Sequence, residues 1–231
     1  MAKKVFTFTI SQSDFVDTLQ NRNLVLSDYA QQEAILVSIF SQFPHFNHSH
    51  VLTRITLLNM FYSTAIMDIV SVANHIVNTN NVQSRLSNGD VGVVSDIAKV
   101  QHGNKVRRHI SFASKFSSFQ NPSAFPILDS FVLDVFCELR RLGFFVLNSK
   151  FSREALHSNY VLYKAVYDEF IKLSGISNIV YNGQTPDYKE VDNYLWASRK
   201  IKSLSSSDPR ALNNAVAYNQ IVKNAINSII P

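Results

Sequence analysis

The stretch HISFASKFSSFQNPSAFPILDSFV, residues 109–132, places one lysine inside a run of phenylalanines. Phe112 lies three residues before Lys115, and Phe119 lies four residues after it. Residues three and four apart share one face of a helix, so the three side chains are neighbours if this stretch is helical. The pattern therefore predicts a helix that holds a lysine among aromatic rings.

One aspartate, Asp129, follows at the point where the next apolar helix pattern begins. A carboxylate at a helix N-terminus is stabilised by the helix dipole and stays ionised. Pro122 and Pro126 lie in the connection, and each fixes its own backbone φ angle. A stiff connection helps two functional side chains to keep a constant separation. The sequence alone leaves open whether Lys115 and Asp129 meet in space.

The two side chains suggest a chemistry, and each also has a purely structural interpretation. Apolar surroundings favour the neutral amine of a lysine, which is a nucleophile. A carboxylate beside it acts as a base or stabilises a cation. Alternatively, the stem of Lys115 lies on apolar surface while its ammonium group reaches water, and Asp129 is a helix cap. Their candidate catalytic role is a hypothesis at this point.

Working outward, the chain contains only six glycines and six prolines, and the segments between them have helical periodicity. The expected class is all-α, a compact multi-helix protein of eight to ten helices. It is predicted as one domain over residues 1–231, with two lobes and a cleft near Lys115 and Asp129 as an alternative. Residues 5–10 are predicted to be extended, and residues 45–50, 78–89 and 101–104 to be loops. Helices are predicted over residues 28–43, with Ser27 as N-cap, and over residues 51–77, as one helix or two that form the most buried part. Further helices are predicted over residues 90–100, 105–119, 130–142 and 158–174. The last two are predicted from residue 187 or 188 to about 202 and from Pro209 onward.

Composition limits the function classes. The 231 residues are 46% hydrophobic, which is ample for a core, and the net charge of +5 favours a polyanionic partner, nucleic acid first. The single cysteine, Cys137, excludes an intramolecular disulfide and a Cys-rich zinc site. We expect a soluble, cytoplasmic protein without a membrane partner, because no signal peptide or membrane-spanning apolar run is visible. We expect no cofactor, since no phosphate-binding or dinucleotide fingerprint is present.

A basic cluster precedes the lysine helix and is a candidate DNA-binding site. It consists of Lys105, Arg107, Arg108 and His109. Cations at the start of a helix suit a DNA phosphate, although a solvated basic face has the same appearance.

Other candidates also have structural alternatives, and core packing is the favoured interpretation of Trp196. Asn59 lies in an apolar helix pattern and is a candidate DNA contact or a satisfied core asparagine. Trp196, Phe112 and Phe119 are candidates for stacking on a base, or for core packing. The histidines of HFNHSH, residues 45–50, lack an obvious carboxylate partner, so no metal site is predicted.

Several patches resemble a family of uncharacterised bacterial proteins. They are LLNMFYSTAI at 57–66, NHI at 74–76, SFASKFSSFQNPSAFPILDS at 111–130 and YKEVDNYLW at 188–196. The lysine helix followed by an aspartate in PILDS also resembles the helix-hairpin-helix superfamily of DNA glycosylases, and within it the 8-oxoguanine DNA glycosylase fold. That resemblance implies that Lys115 is the nucleophilic lysine and that Asp129 is the catalytic aspartate.

Two function hypotheses follow. In the first, the chain is a base-excising DNA glycosylase, with or without AP-lyase activity, that acts on a damaged or modified base. In the second, it is a non-catalytic helical module that binds nucleic acid or protein on a glycosylase-like scaffold. The segment VRRHISFAS before Lys115 contains no glycine, unlike the hairpin of the glycosylases, and this favours the second hypothesis. The oligomeric state is not defined by the sequence.

Overall fold

The structure is a computed structural model that describes residues 6–148 and 150–205, and it is mostly helical. The predicted predominance of helices is confirmed, while a glycosylase-like arrangement stays a prediction. The described residues also contain a 3-10 helix over Ile176–Asn178 and one two-stranded antiparallel sheet, β1 (Lys99–His102) and β2 (Lys105–Arg108). The helices are α1 (Gln12–Val25), α2 (Ser27–Gln42), α3 (His48–Tyr62), α4 (Ile69–Asn78), α5 (Val82–Ser87), α6 (Gly92–Ala98), α7 (Ile110–Gln120), α8 (Ser130–Leu142), α9 (Arg153–Ser158), α10 (Tyr160–Leu173) and α11 (Tyr188–Ser205).

The prediction of one helix over residues 105–119 is wrong at its start. Lys105–Arg108 forms β2, which pairs with β1 across a two-residue turn, and α7 begins only at Ile110. Gly103 in that turn has φ +58°, a left-handed conformation that glycine adopts without a steric penalty. The predicted loop over 101–104 therefore contains the last two residues of β1 and the turn that closes a β-hairpin.

Three further boundaries differ from the predictions. The predicted loop over 78–89 contains α5, and Ser27 is the first residue of α2 instead of its cap. Helix α3 begins at His48 because the side chain of Asn47 accepts the backbone N–H of His50 and caps the helix. The alternative of two helices within 51–77 is confirmed. The helix predicted from Pro209 lies outside the described residues.

The chain divides into two compact units. The central unit comprises residues 28–129 and 154–164. The terminal unit comprises, among the described residues, 6–27, 130–148, 150–153 and 165–205. None of the described helices is long and apolar enough to cross a membrane.

In the central unit, α7 is buried on nearly every face, so the prediction that 51–77 holds the most buried helix is wrong. Eight of its residues are buried, among them Lys115 and three serines. Helix α7 packs against α6, α3 and α5. Serine side chains are small, so they allow neighbouring helices to approach α7 closely. A helix enclosed in this way must find partners for its polar groups inside the protein.

Arg54 of α3 is fully buried beside α7. Its guanidinium donates to the side-chain oxygen of Gln120 at 2.7 Å and to the carbonyl of His45 at 2.9 Å. The rings of Phe40, Phe46 and Phe116 surround it, with centroids 4.5 to 5.5 Å from its carbon Cζ. Burial lowers the pKa of Arg54 to about 10. The arginine therefore fastens the segment before α3 to α7 through hydrogen bonds and cation–π contacts.

The terminal unit has an aromatic core. Phe136 of α8 contacts Phe170 and Tyr167 of α10, with ring centroids 5.3 and 5.4 Å apart, and Phe8 contacts Phe144 at 4.8 Å. Helix α11 packs against α1 and α8.

Replacing Arg54 by alanine should lower the free energy of unfolding by about 3–5 kcal/mol, because it removes the hydrogen bonds and cation–π contacts of a fully buried side chain and opens a cavity. Urea unfolding measures the loss. Arg85→Ala is a control in the same unit, since Arg85 pairs with Asp90 and Asp96 near the surface and should cost about 1 kcal/mol or less. Equal losses in the two variants would contradict the importance assigned to Arg54.

Candidate functional site

Lys115 lies in the middle of α7, and only 5% of its surface is exposed. Its Nζ donates a hydrogen bond of 2.7 Å to the hydroxyl of Ser111, one helical turn earlier. The ring of Tyr62, the last residue of α3, has its centroid 5.7 Å from the same nitrogen. The amine is therefore held in one direction by a hydroxyl and an aromatic face.

Asp129 lies beside that amine. Its Oδ2 is 3.9 Å from Nζ of Lys115, and its side chain is 32% exposed. The structure thus brings together the two predicted catalytic residues, which are 14 positions apart in the sequence. The amine is nearly enclosed and the carboxylate reaches solvent, so a ligand can approach the pair from the side of Asp129.

Three buried hydroxyls position the segment that carries Asp129. Ser114 of α7 accepts the backbone N–H of Leu128 at 2.9 Å. Tyr160 donates to the carbonyl of Pro126 at 2.6 Å, and Tyr163 donates to the carbonyl of Ile127 at 2.5 Å. We call these bonds the 126–128 clamp. Consecutive backbone groups before Asp129 are fixed, and rigid support of this kind keeps a functional side chain in place.

The serines of α7 offer a matched test of the clamp. Ser114→Ala removes the acceptor of a buried N–H group and should lower the free energy of unfolding by about 1–3 kcal/mol. Ser117→Ala should be nearly neutral, because the buried hydroxyl of Ser117 has no hydrogen-bond partner within the described ranges. Urea unfolding compares the two variants, and equal stabilities would contradict the clamp.

The predicted DNA-binding cluster lies on the β-hairpin and continues to the start of α7. Lys105, Arg107 and Arg108 are exposed on β2. His109 is half-buried and is the N-cap residue of α7, without a side-chain capping bond. Burial, and then the neighbouring His102 and Arg107, lower the pKa of His109. The cationic part of the cluster is thus the three strand residues.

Asn59 has hydrogen bonds at both ends of its amide. Its oxygen accepts from the hydroxyl of Thr64 and the N–H of Ile66, and its nitrogen donates to the carbonyl of Ile66. These bonds hold the turn after α3, in which Ser63 and Ala65 have positive φ angles of 46° and 56°. This geometry favours the structural interpretation of Asn59, and a DNA contact stays a prediction.

The predicted stacking residues have different surroundings. Phe112 is 1% exposed and packs against Phe116, so stacking on a base would require the core to open. Phe119 is half-buried, with its ring 5.8 Å from that of Tyr62. Trp196 belongs to the terminal unit, where it packs against Leu26 and Ala197.

Sequence reasoning missed two neighbours of Lys115. Ser111 is four residues before the lysine on the same helix, so helical spacing could have identified it. Tyr62 comes from α3, and no local signal links it to α7. Within the described ranges, no group of three histidine, cysteine, aspartate or glutamate side chains could hold a metal ion.

Comparisons with known proteins give partial matches to a family model and to an uncharacterised bacterial protein. Residues 12–124 match the family HI_0787_N, described as an N-terminal domain. The chain is 36% identical over 146 residues to an uncharacterised protein of Haemophilus influenzae strain Rd, an alignment that covers 63% of this chain. The chain spans 64% of the length of that relative. No solved structure matches the chain.

These similarities support the resemblance to uncharacterised bacterial proteins. The family match contains Lys115 and the hairpin and ends five residues before Asp129. Neither match supports the resemblance to 8-oxoguanine DNA glycosylases, which stays a prediction.

Proposed function

We propose that this chain is a base-excising DNA glycosylase with AP-lyase chemistry, in which Lys115 is the nucleophile and Asp129 the assisting carboxylate. The observation that supports this most is the approach of Nζ to the Asp129 carboxylate within 3.9 Å in a nearly enclosed site. A lysine, a base and a supporting group are the components of covalent amine catalysis.

The proposed reaction begins with a nucleotide turned out of the DNA stack, because the reacting sugar carbon is inaccessible within it. The lone pair of Nζ forms a bond to C1′ of the sugar. The bond between C1′ and the base breaks, and its electrons leave with the base, which takes up a proton from water. Asp129 stabilises the positive charge that develops on the sugar and accepts the proton that Nζ releases. The sugar ring then opens, the ring oxygen O4′ takes that proton from Asp129, and a protonated Schiff base forms on Lys115.

Two features of the site suit this chemistry. Ser111 and Tyr62 fix the direction of Nζ, and the 126–128 clamp fixes the carboxylate. Preorganised groups of this kind need no rearrangement while charge develops. The half-buried ring of Tyr62 lies next to the amine, and the half-buried ring of Phe119 lies 5.8 Å from that of Tyr62. The two rings offer an apolar surface for an extruded base.

Borohydride trapping tests the role of Lys115. The full chain should form a reducible covalent adduct with DNA that contains 8-oxoguanine, uracil, an alkylated base or an abasic site. Lys115→Ala and Lys115→Met should form none, the methionine variant preserving the apolar stem where alanine leaves a cavity. Lys172→Ala removes an exposed lysine and should trap as the parent does. An adduct that survives in both folded Lys115 variants would contradict the proposal.

Asp129→Asn tests the role of the carboxylate while the nucleophile is left in place. Base release should slow by about a hundredfold or more, because the amide neither accepts the proton nor stabilises the cation. Single-turnover release of the base measures the effect. Asp134→Asn is the control, since Asp134 forms a half-exposed ion pair with Arg153 and should leave the rate unchanged. Equal rates for Asp129→Asn and the parent would remove Asp129 from the mechanism.

The second candidate is a non-catalytic module that binds nucleic acid or protein. The same contacts favour it, because a buried lysine with a purely structural role also requires a hydrogen-bond acceptor and an opposite charge, which Ser111 and Asp129 provide. A folded chain that releases no base and traps no adduct on any of these oligonucleotides would select this candidate.

A further inference from the structure

The β-hairpin formed by β1 and β2 carries an arrangement of charge that the catalytic pair does not explain. Four of its ten residues are exposed cations, namely Lys99, Lys105, Arg107 and Arg108. Within the described chain, none of the four has a carboxylate within 4.0 Å of its charged nitrogens. An exposed valine, Val106, lies between the cations of β2.

The strand register adds a second observation. Lys99 pairs directly with Arg108. Directly opposite side chains in an antiparallel pair have Cβ atoms about 4.5–5.5 Å apart, and like charges at that distance are destabilising. Arg108 turns one end of its guanidinium to the carbonyl of Ser158 at 2.6 Å, which is a neutral acceptor. The hairpin therefore keeps positive charge together at a cost to its own stability.

The two strands face different surroundings. Val100 is buried and His102 lies 3.6 Å from the Asp68 carboxylate at the start of α4, so β1 is the inner strand. All residues of β2 are exposed, so β2 forms the outer edge. Because side chains alternate along a strand, Lys105 and Arg107 lie on one face of β2, while Arg108 lies on the other face opposite Lys99. The exposed edge therefore presents cations on both of its faces to an extended anion.

We propose that this hairpin binds the phosphate backbone of DNA and holds the substrate of the Lys115 site. A row of closely spaced cations without carboxylate partners is complementary to a polymer with one negative charge per nucleotide. The choice of DNA as the polyanion rests on the proposed function. The hairpin replaces the predicted helix entry as the DNA contact, and it adds Lys99, which sequence reasoning missed because Lys99 is six residues before Lys105.

The salt dependence of DNA binding tests this inference. Fluorescence anisotropy of a labelled, undamaged DNA duplex gives the binding constant of the full chain between about 50 and 200 mM salt. Each phosphate contact contributes about 0.9 to the slope of log K against log salt concentration. Lys105→Gln/Arg107→Gln should therefore reduce that slope by about two. The control Lys150→Gln/Lys172→Gln removes the same charge from exposed sites of the terminal unit and should leave the slope unchanged.

Lys99→Gln gives a readout that a structural role would not produce. It relieves the repulsion with Arg108, so it should raise the urea midpoint of unfolding while it weakens DNA binding. A lower midpoint together with unchanged binding would overturn the assignment of Lys99.

The remaining outcomes also decide the inference. An unchanged slope in the β2 double variant, an equal loss in the control, no DNA binding by the parent chain, or tighter binding to duplex RNA or to vesicles of anionic lipid would overturn it. Trapping at Lys115 together with an unchanged slope in the β2 double variant would reject DNA binding by the hairpin and leave the proposed chemistry in place. A reduced slope without any trapped adduct rejects the proposed chemistry and keeps the hairpin.

Discussion

The enclosure of α7 is the constraint on which the central unit depends. A helix buried on nearly every face cannot leave polar side chains to water, so most of them find internal partners. The buried hydroxyls of Ser117 and Ser118 are exceptions among the described residues. Lys115 finds Ser111 and Asp129, Ser114 finds the backbone of Leu128, and Arg54 reaches across to Gln120 at the end of the helix. The partners of α7 thus fix both the loop before α3 and the segment that carries Asp129.

The burial of α7 also explains why the Lys115–Asp129 pair suits either a catalytic role or a purely structural one. Burial favours the neutral, nucleophilic form of an amine, and the charged form needs partners when it is buried. Ser111 and Asp129 are suitable partners for the charged form, and Asp129 is also placed to accept a proton from the amine. The hairpin is different, since its four cations are exposed and two of them, Lys99 and Arg108, lie directly opposite each other across the strands. The need of buried polar groups for partners accounts for the Lys115–Asp129 pair, but it does not account for the exposed cations of the hairpin.

Helical spacing and caps predicted much of the local structure, and long-range contacts accounted for the errors. The 130–142 helix was predicted with its observed bounds, because Asp129 and Gly143 mark its ends. The hairpin was missed because Val100 and Val106 stand among basic residues, and a strand of four residues has little periodicity. The division between α3 and α4 depends on Asn59, whose partners lie seven residues away. Lys115 and Asp129 were identified by residue type, while their separation of 3.9 Å depends on hydroxyls from α7 and α10.

The positions in the sequence of the two tyrosines of the 126–128 clamp have a consequence for folding. Tyr160 and Tyr163 belong to the central unit, yet the chain reaches them only after residues 130–153 have entered the terminal unit. Their bonds to residues 126 and 127 close loops of more than thirty residues. Contacts with such sequence separation form late, since loop-closure entropy must be overcome first. During synthesis, Asp129 therefore leaves the ribosome well before the groups that position it. The Lys115–Asp129 pair gains its full support only after the chain has been made as far as Tyr163.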